Sequence, residues 1–171
     1  MNVNLDRGAV DLAIRYTSRE TAPAGAVPLF GEEIVPVCSP SLLNDPLKPL
    51  TTASDLCNHF LLHLDYPGME RTWFDWDTWL TAFGVGTLVP AGALRFEQYD
   101  QMIRAAVAGQ GVALGRMPLL DDLVRTGSLV MPFAKSVAGT RGYYLLRSPH
   151  SEKKRHVDDF CAWLRTEAAR G

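Results

Sequence analysis

Short apolar runs alternate along this chain with stretches whose apolar residues recur every three or four positions. That alternation constrains the fold more than any other feature, because strand and helix periods taking turns build an α/β architecture. Val10 to Tyr16 reads as a strand with Val10, Leu12 and Ile14 on one face. Glu33 to Cys38 reads as a second, and its internal Pro36 makes it an edge or crossing strand, since proline cannot donate to a ladder. Phe60–Leu64, Ala93–Phe96, Val112–Leu114, Leu129–Met131 and Gly142–Leu146 complete the strand set.

Helices are expected between them. Ser39 to Pro49 starts as a short helix and ends in a proline-rich turn. Thr52 to Asp55 resembles a helix start, with an acidic residue three positions after a threonine cap. Trp73, Trp76, Leu80 and Phe83 share one helical face. A helix over about Gln98 to Ala108 carries Met102, Ile103, Ala106 and Val107 as its stripe, and Gly109 and Gly111 can stop it. Leu119–Arg125 and about Glu152 to Ala169 are the last two, the latter with Val157, Phe160, Cys161 and Leu164 on one side.

Composition narrows the function. With 47% hydrophobic residues in 171, the chain can bury a core. Its 17 Lys and Arg are scattered among 19 Asp and Glu, so no basic face marks a phosphate track. The densest basic run, Lys153 to His156, reads as a solvated helix start. Three cysteines, Cys38, Cys57 and Cys161, form no C-x-x-C pair and read as buried reduced thiols. The N-terminal residues show no secretory signal and no apolar run reaches spanning length, which places the chain in the cytoplasm.

Motifs for catalysis, cofactors or metals do not emerge. Gly109-Gln110-Gly111 follows a helix instead of opening one, and Leu114 stands where a dinucleotide fingerprint needs glycine. His59 and His63 are four apart, a ligand spacing on a helix, but their segment reads as a strand. Trp73, Phe74, Trp76 and Trp79 make a packing face, with Phe74 or one indole partly exposed. No catalytic residue, cofactor or metal is therefore assigned.

Two strand ends are suited to binding. Where the strand ending at Phe96 hands over to a helix, unpaired N–H groups favour a carboxylate or phosphate. Glu97 or Asp100 can instead serve as the cap, so both readings stand. Tyr16-Thr17-Ser18 ends the first strand similarly and adds hydroxyl donors.

Taken in order, Asp6 to Tyr16, Leu29 to Pro40, and Tyr99 to Arg116 resemble three segments of LysR-type transcription regulators: the strand before the cleft, the crossing into the second lobe, and its helix–strand unit. The resemblance is to the effector-binding domain, in the subgroup that includes the glycine-cleavage activator. It implies a two-lobed periplasmic-binding-protein-like fold of type 2: residues 1–31 with 140–171 as a partial lobe one, and 32–139 as lobe two. It implies a small effector held by Tyr16 and Thr17 from one lobe and Leu64, Phe96, Glu97, Gln98 and Tyr99 from the other, and the donor-rich helix start favours an anionic one. Thr17 stands where many members carry glycine. The family's helix-turn-helix and the first strand and helix of lobe one have no counterpart, so DNA would be reached only through a part not in this chain. A homodimer or tetramer is implied for the full-length protein, and catalysis is not. A transport-type solute-binding protein is the rival on the same fold.

Overall fold

In the computed structural model, residues 10–65, 74–151 and 153–169 are described. Trp73 and the segment from Asp6 to Ala9 lie outside them. Six strands and four helices follow in the order β1 (Leu12–Ser18), β2 (Val27–Val37), β3 (Phe60–Leu64), α1 (Trp76–Ala82), β4 (Gly92–Phe96), α2 (Tyr99–Val107), β5 (Val112–Met117), α3 (Asp121–Arg125), β6 (Val137–Arg147) and α4 (Arg155–Ala168). They fall into two compact units, Met1–Glu32 with Thr140–Gly171, and Glu33–Gly139. β2 and β6 each run from one unit into the other.

The larger unit is built on a sheet in which β2 pairs antiparallel with β5, and β3 lies parallel to both β5 and β4. Both faces are buried, which is why its strands read as unbroken apolar runs. Ile34, Leu61, Val112 and Leu114 point to one side, where they pack with Trp76, Trp79 and Leu80 of α1. Val35, Val37, Leu62 and Ala113 point to the other, against Met102, Ile103 and Ala106 of α2. The indole of Trp76 donates from Nε1 to the carbonyl of Leu62 at 3.0 Å, tying α1 to β3. Trp76 and Trp79 are both buried, so these indoles are packing groups and not a stacking platform. Pro36 sits opposite Leu114 on β2, which is the crossing strand and not an edge, since it lies between β6 and β5.

Local chemistry sets the element ends. Asp55 accepts from the backbone N–H groups of Thr51 and Thr52, at 2.9 and 2.8 Å, and so fixes the 3₁₀ turn Ala53–Asn58. Those donors hold its carboxyl below the ordinary carboxylate range. Gly109 stops α2 with a φ of 75°, a left-handed conformation that side chains resist.

The smaller unit is thinner. β6 lies between β1 and β2, with Leu12 opposite Arg147 and Tyr16 opposite Tyr143. α4 covers this sheet through Val157 and Cys161, which pack with Leu145, Leu12, Val27, Leu29 and Leu164. Ser148 and Ser151 fasten the turn before α4 by hydrogen bonds to the Asp11 carbonyl, from Ser148 N–H at 2.9 Å and Ser151 Oγ at 3.1 Å.

Four sequence expectations are corrected. Leu129–Met131 is no strand but a single bridge, in which Val130 and Cys38 exchange both backbone hydrogen bonds. Ile14 is 54% exposed, because β1 borders a three-stranded sheet too narrow for one helix to cover fully. The same shortage leaves Phe160 beside the α4 stripe and 48% exposed, stacked on Trp163 at 5.4 Å. On α2, Ala105 is buried and Val107 is exposed, so the stripe ends at Ala106, one residue short of its apolar pattern.

Candidate functional site

The carboxyl ends of β3 and β4 and the amino end of α2 come together in the larger unit. Leu64 pairs with Phe96 at the last rung of the parallel ladder, and the N–H of Asp65 donates to the Phe96 carbonyl at 2.7 Å. Leu64 and Phe96 are half-buried, while Glu97 and Gln98 are exposed. Gln98 is the N-cap residue of α2, and no side chain caps that end. The partial positive charge of a helix amino end lies beside Glu97 and Gln98. The Gln98 side chain accepts from Gln101 Nε2 at 3.1 Å.

Tyr99 has a partly structural task. Its hydroxyl accepts the N–H of Arg116 at 2.9 Å, linking α2 to the end of β5. The Arg116 guanidinium lies 5.5 Å from the centre of the Tyr99 ring and 5.7 Å from that of Phe74, and the two rings meet edge to face at 5.9 Å. Arg95 holds both oxygens of Asp65 at 3.0 Å across the same rung. Arg116, Phe74 and the Arg95–Asp65 pair escaped the sequence reading. Arg116 belongs to a strand by local pattern, and only the pairing of β5 beside β3 brings it to this end of the sheet.

In the smaller unit, Tyr16 and Thr17 lie near the end of β1. The Tyr16 hydroxyl donates to the buried carboxylate of Glu32. Its ring packs on Tyr143 at 5.0 Å, and Tyr143 in turn on Phe30 at 4.7 Å, with the Arg141 guanidinium 5.9 Å from the Tyr16 centroid. No helix follows this strand. Thr17 and Ser18 each share a hydrogen bond with the Thr21 hydroxyl at 2.8 Å, so the expected hydroxyl donors close their own turn.

The remaining chemistry-bearing residues are occupied elsewhere. His59 is buried with Nε2 3.2 Å from the Pro49 carbonyl. Among the described residues no three His, Cys, Asp or Glu side chains converge on a metal position, and no helix is long and apolar enough to cross a membrane. All three cysteines are free, and Cys57, expected to be buried, is exposed. Burial pushes the Cys38 thiol up to about 12.

Comparison with known proteins matches this arrangement closely. The family model described as LysR substrate binding domain covers residues 3–169. The glycine cleavage system transcriptional activator of Escherichia coli (strain K12) is 30% identical over 160 residues, 94% of this chain and 50% of that protein. The HTH-type transcriptional regulator DsdC of the same strain is 31% identical over 168 residues, 97% and 53% respectively. The chain spans about half the length of these curated relatives, which are transcriptional regulators and not enzymes. Its α/β fold is that of the AmpR effector binding domain from Citrobacter freundii, with a TM-score of 0.71 at 22% identity over 99% of this chain and 80% of that one. The effector domain of AmpR of Pseudomonas aeruginosa gives 0.66 at 26% identity, covering 98% and 76%. The chain therefore belongs to the family of LysR substrate-binding domains.

Proposed function

We propose that this chain is the metabolite-sensing part of a LysR-type transcriptional regulator, acting in the cytoplasm. A small effector binds it, and the resulting shift in its conformational equilibrium passes to DNA-binding parts of a longer protein that works as a homodimer or tetramer. The observation that carries this reading is the family match over residues 3–169, joined by relatives named as regulators of transcription.

Tyr16 and Thr17 in one unit, and Leu64, Phe96, Glu97, Gln98 and Tyr99 in the other, are the proposed effector contacts. The uncapped amino end of α2 supports a carboxylate-bearing effector, and Phe96 and Tyr99 beside it support one with an apolar body. Such a ligand regulates only by binding one arrangement of the protein better than another. Isothermal titration against amino acids, aromatic acids and cell-wall fragments tests the proposal. A saturable heat that Gln98→Pro diminishes is the expected outcome, since proline removes the Gln98 side chain and N–H and draws its φ from −125° towards about −65°. Absence of saturable heat with every class, measured on a longer form carrying the DNA-binding part, refutes it.

A further inference from the structure

We propose a second, accessory ligand site at the opposite end of the larger unit, one that takes a small zwitterion such as a short α-amino acid. A cavity of about 160 Å³ opens there between the start of β3, the start of β5 and the stop of α2. Phe60 and Leu64 are the first and last residues of β3. Four strand steps separate them, roughly 13 Å, so this cavity is distinct from the effector contacts at Leu64 and Phe96.

Its lining carries both charges in one small space. Lys48 and Asp45 come from one turn, Asn58 and His59 from the end of the 3₁₀ segment, and Gln110 from the turn after α2. Among the described residues the Lys48 ammonium makes no ion pair, and no hydrogen bond engages the side-chain amides of Asn58 and Gln110. Asp45 uses Oδ1 to accept the Leu47 N–H at 2.9 Å, which leaves Oδ2 open. Leu42 and Phe60 complete the lining.

Charge selects the ligand class. A simple anion satisfies Lys48 but is repelled by Asp45, and a simple cation meets the reverse conflict. A zwitterion satisfies both, with the amides of Asn58 and Gln110 as further partners for its carboxylate or ammonium. Volume sets the size, since a cavity near 150 Å³ accommodates a molecule about as large as benzene. Glycine, alanine and serine lie within that limit.

Amide NMR of the 171-residue chain titrated with glycine, then alanine and serine, tests the site. The expected result is saturable shifts at the amides of Gly109, Gln110 and Gly111 and at the Asn58 and Gln110 side chains. Lys48→Gln and Asp45→Asn each weaken binding about tenfold, the loss expected for one charged hydrogen-bonding partner. Asn at 45 keeps an acceptor for the Leu47 N–H, so the turn survives, and both side chains lie at the surface. Acetate and methylamine, each half of glycine, bind about tenfold weaker than glycine itself. Gln98→Pro leaves the shifts intact, which separates this site from the proposed effector contacts. The proposal is overturned by unshifted cavity amides at about 50 mM glycine, far above the millimolar affinity such contacts support. It is equally overturned by acetate matching glycine, or by both variants binding like the wild type.

Discussion

Replacing Gly111 by alanine tests how tightly β3 and β5 are pressed together. An alanine Cβ there would sit 2.5 Å from the Phe60 carbonyl oxygen and 2.9 Å from Leu62 Cδ2. Carbon and oxygen ordinarily approach to roughly 3.3 Å, so about 0.8 Å must be found. The oxygen belongs to backbone at the head of a parallel ladder whose next rung is Leu61 opposite Val112, and it cannot swing aside as a side chain does. Overpacking of this kind costs up to ~3 kcal/mol, offset by about 0.4–1 kcal/mol from the stiffer unfolded chain. At the upper end of that range a net loss of about 2 kcal/mol follows, or a fall in Tm of roughly 4–8 °C at this chain length. Gly86→Ala, in the same unit, is the control. Its Cβ would meet the hydroxyl of the exposed Thr81 at 3.1 Å, a side-chain end that can turn, so its cost stays within about 1 kcal/mol. Urea unfolding followed by tryptophan fluorescence reads the difference, because the indoles of Trp76 and Trp79 are buried in this unit. A Gly111→Ala protein as stable as Gly86→Ala would refute the close approach.

Asp55→Ala should cost about 1 kcal/mol at neutral pH, the worth of an end cap. Because the folded carboxyl titrates below its unfolded value, that stability is present above the unfolded pKa and disappears as pH falls through the folded one; wild type and variant should therefore converge in acid denaturation once the pH lies below the ordinary carboxylate range. Tyr99→Phe removes the acceptor of the Arg116 N–H and should cost about 1–2 kcal/mol in chemical denaturation, with slower hydrogen exchange at Arg116 than wild type counting against it. A thiol reagent at pH 8 should label Cys57 at once and leave Cys38 and Cys161 until the chain unfolds, since both are buried and the Cys38 thiol titrates near 12. Mass spectrometry of the labelled peptides decides it.

Strands whose two faces are both covered were the easiest to read. Ile34–Cys38, Leu61–Leu62 and Val112–Leu114 are apolar at every step because a helix packs above and below each. Local signals failed where pairing, not pattern, makes the element. β6 begins at Val137, several residues before its apolar run, because a neighbouring strand supplies its hydrogen bonds whatever its side chains are. Leu129–Met131 has the composition of a strand, yet only Val130 finds a partner and Pro132 can donate nothing further. Phe160 sits three residues after Val157, at the flank of the α4 stripe, and whether a flank is buried depends on the width of the sheet beneath it.

The candidate site divides along the same line. A strand that ends and becomes a helix is visible in Arg95 to Asp100, and so is the donor-rich terminus it creates. What remains available to a ligand is not visible there, since long-range partners claim atoms first. The Tyr16 hydroxyl goes to Glu32, sixteen residues on, and the Tyr99 hydroxyl to the backbone of Arg116, seventeen residues on. Asp45, Asn58 and Gln110 illustrate the converse, being unremarkable in their own segments and meeting at one cavity only because β3 and β5 start side by side. Binding capacity in this domain is thus a remainder. Residue type offers donors and acceptors, and the fold consumes many of them before any ligand can.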